Sequence, residues 1–376
     1  MDAPGRDTVA VTDLAAYRDN LRTVFGIVGP SVRVMAVIKA NAYGHGMVEC
    51  ARTALDTGVS MLGVAYAMEG VRLREAGIAA PVLVMACESR DFVDEMVARD
   101  LTIGVSSFET LKELKRVLRS RSARSRVHIK VDTGMGRVGV RPDETERLLR
   151  EALDASGIAV EGIFTHFPSA DEDSDPASLE QVRVFARLLD GLSAKGLRPP
   201  LAHMCNSAGT VKFPGAHFDM VRTGLMTYGL VPYPGSEEKV RLKPVLSLRS
   251  RIAFVKEVPA GFAASYGGTF VARRPSRLAT VPIGYADGYR RFFSNRGKGI
   301  VNGVLVPIAG RVCMDQTVFD VTDAGDVNPG DPITLIGSDG SARVTAEDLA
   351  EIGGTITHEI VTGITGRVSR TVIPAP

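Results

Sequence analysis

A chain of 376 residues, 45% apolar and 23% charged, has the balance of a globular protein and room for two domains. Its formal net charge of +2 offers no basic face for nucleic acid, and no apolar run is long enough to span a bilayer. The opening MDAPGRDTVAVTDLAAYRDN is acidic early and lacks an apolar core, unlike a secretory signal. Cys50, Cys87, Cys205 and Cys313 show no CxxC spacing, which argues against a zinc site or disulfide framework and for a reducing, cytoplasmic setting.

In chain order, short apolar runs alternate with amphipathic stretches. Val32–Lys39 and Met61–Tyr66 read as strands, Ala67–Ala76 as a helix, Pro81–Met85 as a strand and Phe92–Arg99 as a helix. Thr102–Val105 is the next strand, followed by a helix over Phe108–Leu118 that Ser107 is placed to cap. Val127–Val131, Val160–Thr165, Leu201–Cys205 and Met220–Gly224 complete the strands, with helical patterns over Asp143–Leu153 and Leu179–Leu192. Eight strands alternating with helices predict an α/β fold, a (β/α)₈ TIM-like barrel over residues 14–240. After Tyr233–Glu238, which reads as a linker, the texture changes. Leu246–Val255, Leu278–Pro282, Gly303–Ile308 and Ile333–Ile336 read as strands between Gly, Pro and Asp turns, and Thr345 starts a short helix. Residues 241–376 are therefore expected to form a mainly antiparallel β domain, joined by the N-terminal segment 1–13.

The polar residues fall where a barrel would use them. Lys39, Asp132, His166, Asn206 and Arg222 lie at or just past strand carboxyl ends, which converge on one face of a barrel. Lys39 follows a buried apolar run in VRVMAVIKANAYGHG; it either snorkels to water or is a desolvated amine, a usable nucleophile. In KVDTGMGRVG a glycine turn presents Arg137, suited to fork a carboxylate or to make a surface ion pair. Ser207, in HMCNSA, either binds phosphate beside backbone amides or caps the next helix. The apolar strand DMVRTG carries Arg222, whose charge needs a partner. Tyr266 sits in the glycine turn ASYGG and Cys313 in IAGRVCMDQ; taken alone, both read as packed side chains. No metal-ligating spacing is present.

Taken together, AVIKANAYGHG, KVDTGMGRVG, THF, NSAG, DMVRTGLMTYG, SYGGTF, PIGYADGYRR and GRVCMDQ, in this order from about Leu14 to Arg370, resemble the alanine racemase family. The resemblance implies pyridoxal 5'-phosphate and racemisation of L- and D-alanine by two opposed bases, supplying or consuming D-alanine, a cell-wall precursor. It implies that Lys39 holds the cofactor covalently and acts as one base, with Tyr266 as the other. Arg137 and the Met314 backbone would take the substrate carboxylate. Tyr43, Ser207 and Gly224, next to Asn206, would hold the phosphate, Arg222 would face the pyridine nitrogen and His166 the cofactor ring. His203 would stand behind Arg222, Lys130 would support Arg137 as a carbamate, and Tyr285 and Asp315 would support the site. The partners implied are a small amino acid and a second copy of the chain, arranged head to tail as a homodimer in which Tyr266 and Met314 enter the pocket from the other subunit.

The residue types suit the reaction. Racemisation removes a proton from one face of a carbon and returns one to the other, so two acid/base groups must flank it. Arginine is a poor proton donor to a ring nitrogen, because its own pKa exceeds about 12. The sequence departs from the family pattern at His358-Glu359, where Tyr-Glu is usual, at Pro168, and at Gly366, where some members carry a tyrosine. Gly366 keeps open a racemase for serine, a basic residue or a broad range. A related decarboxylase and a non-catalytic cofactor-binding protein are the remaining alternatives.

Overall fold

The computed structural model describes residues 7–86, 91–172 and 176–375; Cys87 and residues 1–6 of the N-terminal segment lie outside them. Contacts divide the chain into two units. One holds Arg18–Ala42 and Met47–Leu242; the other holds the chain up to Tyr17, the short stretch Tyr43–Gly46 and the chain from Lys243 onward.

After β1 (Val9–Asp13), the first unit carries β2 (Arg33–Val37), β3 (Met61–Val64), β4 (Val82–Val84), β5 (Thr102–Val105), β6 (Ser125–Lys130), β7 (Ile158–Phe164), β8 (Leu201–His203) and β9 (Met220–Thr223). These eight strands run in the order β8-β7-β6-β5-β4-β3-β2-β9, every hydrogen-bonded pair parallel. The ring closes between its ends, where Asp219 N–H donates to Ala202 O at 3.0 Å and Arg222 N–H to Cys205 O at 2.9 Å. β3, β4, β5 and β9 are buried at every position, which is why they read as apolar runs, β9 broken by Arg222: parallel strands are covered on both faces. Met35, Met61, Leu83 and Met220, with Met85 against them, form one packed apolar cluster on these strands, flexible thioethers filling an irregular space. A (β/α)₈ barrel is what the alternation predicts, and all eight strands fall where the sequence places them.

The helices follow the same logic. Phe108–Arg121 buries Leu111, Leu114, Val117 and Leu118, a helical stripe, and the Ser107 side chain caps it by accepting the Thr110 N–H at 3.1 Å. Two helices that the sequence reading did not name precede it, Leu14–Val28 and Met47–Asp56. The stretch read as a linker is folded: Ser236–Glu238 is a 3₁₀ turn, with Tyr233 and Ser236 buried.

The second unit is mostly antiparallel, as expected. It contains β1 and β10 (Leu246–Arg251), β11 (Phe254–Val258), β12 (Ala263–Ala264), β13 (Phe270–Val271), β14 (Ser276–Val281), β15 (Lys298–Val301), β16 (Val304–Pro307), β17 (Thr317–Asp320), β18 (Pro332–Asp339), β19 (Ala342–Val344) and β20 (Ser369–Ile373). The largest sheet has the order β16-β15-β18-β10-β1-β20, with β19 on β18; only the β1–β20 pair in it is parallel. Thr345 caps the helix Ala346–Gly353 by accepting the Asp348 N–H, as its sequence suggests.

Candidate active site

Lys39 leaves the buried end of β2 and is itself half-buried. The backbone that follows is a left-handed turn, with φ 51° at Ala40, 55° at Asn41 and Ala42, and 52° at Tyr43. Such a turn costs roughly 1–2 kcal/mol per residue, so something must hold it. Ala42 N–H donates to Ile38 O at 2.8 Å, the Asn41 side-chain oxygen accepts Met47 N–H at 3.0 Å, and the Glu69 carboxylate accepts Ala40 N–H at 2.6 Å. Burial, then the nearby Arg137 and Arg222 guanidiniums, push the Lys39 amine below its ordinary value; Glu69 pulls the other way.

At the end of β6, Lys130 is buried with its ammonium nitrogen 4.3 Å from the centre of the Phe164 ring. Burial, then Arg222 and Arg137, hold this amine well below the usual lysine range, against the pull of Asp132. The glycine turn beyond it is organised by Asp132, whose carboxylate accepts the N–H groups of Gly134 at 3.0 Å and Gly136 at 3.1 Å. Burial pushes that carboxyl up, but these bonds, with others from Met135 and Arg137, outweigh it and leave it below its ordinary value. The loop is pinched shut by Asp132 N–H on Val140 O and Val140 N–H on Lys130 O, and it presents Arg137 to solvent.

Arg222, on β9, is 4% exposed, and its guanidinium hydrogen-bonds to neutral groups. One terminal nitrogen donates to His203 Nδ1 at 3.0 Å; the other donates to Thr165 O at 2.8 Å, Met204 O at 3.0 Å and His166 Nδ1 at 3.1 Å. Without a carboxylate to offset it, burial lowers the arginine to about 10. His203 is fully buried, stacks on Phe164 with ring centres 5.0 Å apart, and meets His128 at 2.8 Å between Nε2 and Nδ1. Burial, then the Arg222 charge, holds His203, His166 and His128 below the usual imidazole value, His128 down to about 3. There is room for His128 only because residue 162 is glycine, where a Cβ would stand 2.4 Å from its Nδ1.

Between β8 and β9 the sequence left Ser207 as a phosphate ligand or a helix cap. The cap is Asn206, whose side-chain oxygen accepts Gly209 N–H at 2.9 Å. The Ser207 hydroxyl instead accepts the N–H groups of Gly224 and Met226, each at 3.2 Å. Lys39, Lys130, Arg137, His166, His203, Asn206, Ser207, Arg222 and Gly224 thus all belong to the barrel unit, at or past its strand carboxyl ends.

The other residues belong to the β unit. Tyr43 is buried, which pushes its phenol up to about 12, and its ring centre lies 5.6 Å from that of His358. Tyr266 is 69% exposed and follows Ser265, held at φ 62° while its hydroxyl donates to Arg311 O at 2.6 Å. Tyr266, Met314 and Asp315 share one hollow with Ser265, Cys313 and Gln316. The Met314 carbonyl accepts Ala286 N–H and the Cys313 carbonyl accepts Tyr285 N–H, both at 3.0 Å. Asp315 accepts from Arg367 at 2.6 Å, and Arg367 also lies 3.4 Å from Asp287. Glu69, His128 and Arg367 are functional-site neighbours that the sequence reading missed. His128 was detectable, since it stands two residues before Lys130 on one strand and so shares its face.

Among the described residues, no group of three His, Cys, Asp or Glu is placed to hold a metal, and no helix is long and apolar enough to cross a membrane. Two family models match: "Alanine racemase, N-terminal domain" over residues 12–232 and "Alanine racemase, C-terminal domain" over residues 245–372. An alanine racemase of Halothermothrix orenii is 44% identical over 365 residues, covering 97% of this chain and 96% of its own. Among solved structures, the alanine racemase of Streptomyces lavendulae superposes with TM-score 0.93 at 37% identity, covering 99% of this chain and 98% of its own. That of Bacillus anthracis, solved with bound L-Ala-P, gives TM-score 0.92 at 36% identity over 99% of this chain and 96% of its own. The chain therefore belongs to the alanine racemase family of isomerases.

Proposed function

We propose that this racemase interconverts L- and D-alanine with pyridoxal 5'-phosphate, with Lys39 and Tyr266 as the opposed acid/base groups. The observation that carries the reading is the Lys39 amine at the carboxyl end of a buried barrel strand, where burial and the charges of Arg137 and Arg222 weaken its hold on a proton, as a base requires. The donor set suits the cofactor. Lys39, Lys130, Arg137 and Arg222 bring four basic side chains together with few carboxylates, a composition matched to a phosphate dianion and an acidic phenol. Ser207, Gly224 and Tyr43 would hold the phosphate, Lys39 the carbonyl carbon, Arg222 the ring nitrogen and His166 the ring. When bound, the cofactor supplies an electron sink for negative charge at the substrate Cα.

The chain's own residues do the rest. Arg137 fixes the substrate carboxylate, assisted by the Met314 backbone, and so aims the Cα–H bond. Lys39 Nζ exchanges a proton on one face of Cα and Tyr266 Oη on the other, Tyr266 coming from a second copy of the chain in a head-to-tail homodimer. Arg222 keeps its proton, because four neutral acceptors surround its guanidinium and none competes for its charge. Lys130, a lowered and buried amine, is suited to take up CO₂ as a carbamate and give Arg137 an anionic partner. Gly366 favours a second reading, a broader side-chain range, since it is exposed and nothing stands within 4 Å of where its Cβ would be.

The test is kcat/KM over a panel of L-amino acids. Alanine should rank first; serine or lysine above it would overturn the alanine assignment and leave the broader racemase. Lys39→Ala should lose the visible absorption band acquired with pyridoxal phosphate and cut kcat/KM by about a thousandfold. A band that survives would remove Lys39 from its role.

A further inference from the structure

A side chain outside the motifs ties the backbone just after Lys39 to a second element of the barrel. Glu69 lies in the first turn of the helix Ala67–Glu75, which follows β3. One of its oxygens, Oε2, accepts the N–H groups of Ala65 at 2.8 Å and Tyr66 at 3.2 Å, satisfying donors at the start of its own helix. The other, Oε1, accepts Ala40 N–H at 2.6 Å, the first residue of the left-handed turn. Only a carboxylate of this length meets all three donors. A glutamine has one acceptor oxygen and must set its NH₂ against an N–H on one side, and aspartate is a methylene short.

The charge matters as much as the reach. The groups whose charge bears on the Lys39 amine are Arg137 from the turn after β6, Arg222 from β9, Lys130 from β6, His166 from beyond β7, and Glu69. Two of these are guanidinium cations, one is a buried amine held well below the usual lysine range, and one is an imidazole held neutral. Glu69 is the carboxylate in the set.

We propose that Glu69 is a positioning residue for Lys39: its carboxylate clamps the strained turn that aims the lysine and supplies the negative charge that offsets the surrounding cations. The proposal rests on the reading of Lys39 as the cofactor lysine and reactive base. A lysine beside two guanidinium cations and no carboxylate would hold its proton too weakly to return it to carbon, and a turn without its clamp at Ala40 would let the amine wander from the reacting atom. Glu69 sets both the place and the proton affinity of Lys39 without touching substrate.

The experiment is a ¹³C NMR titration of the full-length, cofactor-free protein with reductively methylated lysines. The Lys39 signal is assigned by its loss in Lys39→Arg, and amide hydrogen exchange is read on the same samples. Glu69→Gln is expected to move the Lys39 midpoint down by about one unit, a tenfold loss of proton affinity, and to speed exchange at Ala40. Glu69→Asp, which keeps the charge and loses the reach, should speed exchange at Ala40 while moving the midpoint less. A purely structural role at the helix start would speed exchange at Ala65 and Tyr66 and leave the Lys39 midpoint where it was; that result overturns the proposal. Should Glu69→Gln fail to fold, unchanged Ala40 protection in Glu69→Asp overturns it as well. Failure of the cofactor assignment has a separate signature, a visible band that survives in Lys39→Ala, and the titration remains readable either way.

Discussion

An arginine can only donate hydrogen bonds, and that fact sets the protonation of the imidazoles behind Arg222. His203 must accept at Nδ1, so its proton sits on Nε2 and is donated to His128 Nδ1. The His128 proton is then on Nε2, which is buried and has no partner among the described residues. The chain Arg222–His203–His128 therefore has one direction and no spare acceptor, and it works only while both rings are neutral. These imidazoles, with His166, bind protons more weakly in the folded protein than in the unfolded chain. Their contribution to stability is thus complete above the unfolded value of about 6.5 and is lost as pH falls toward the folded values, about 3 for His128. Each should cost about 1.4 kcal/mol per pH unit across that window. Urea unfolding of the wild type at pH 7, 6 and 5 should show the loss, and His128→Leu should show it less steeply, by about one proton. An identical slope in the variant would mean that His128 is not held neutral by the fold. At this scale the sequence was legible where a residue's type announces its chemistry, as with Lys39 and Arg222; Tyr266, which taken alone reads as packed, is instead 69% exposed. It was silent where a side chain works by accepting backbone N–H groups, as Glu69 and Asn41 do, because many glutamates and asparagines look alike until the backbone has been placed.

Elements were legible for a different reason. A parallel strand buried on both faces is mostly apolar, and a capped helix must put its hydroxyl at the first turn, so β2–β9 and the Ser107 and Thr345 caps could be read directly. Leu14–Val28 carries Leu14, Tyr17, Leu21, Val24 and Val28 at helical spacing, all buried, and was readable by the same rule although it went unnamed. Leu246–Val255, read as one strand, is two. The chain turns at Ile252 and Ala253, whose N–H groups pair with Asp331 O and Thr280 O, an event of tertiary pairing with no local signature. The left-handed turn after Lys39 is the extreme case, since Ala-Asn-Ala-Tyr has no intrinsic reason to adopt it. Gly44 shows what the tertiary structure demands there: it has φ +86°, and a Cβ would stand 2.4 Å from the backbone oxygen of Val361. Gly77 is its control, with φ +79° and nothing within 4 Å. Gly77→Ala should cost about 1 kcal/mol of strain, and Gly44→Ala about 2–4 kcal/mol because overpacking against backbone adds to it. Equal urea midpoints for the two variants would show that the close approach to Val361 carries no weight.

At the scale of the whole molecule, the proposed chemistry is divided between units. Lys39, Arg137 and Arg222 belong to the barrel; Tyr266 and Met314 belong to the β unit, where Tyr266 is far more exposed than a packed aromatic side chain. The resemblance to the family assigns this second base across a subunit boundary, and the exposure of the phenol leaves it open to a second copy. That assignment has an arithmetic consequence. Lys39→Ala and Tyr266→Phe should each be inactive as a pure preparation, since every site then lacks one base. If each pocket takes Lys39 from one copy and Tyr266 from another, unfolding the two variants together and refolding them as a mixture creates mixed dimers. One pocket of a mixed dimer carries both substitutions and the other carries neither. Random pairing makes half the dimers mixed, each with one intact pocket of two, so about a quarter of wild-type racemisation should return. Pockets built within single chains would give none, because no exchange of partners could reunite the two bases. Recovery near a quarter, dependent on co-refolding and absent on simple mixing of slowly exchanging dimers, would place Lys39 and Tyr266 in one pocket from two copies; no recovery after co-refolding, with dimers re-formed, would reject it.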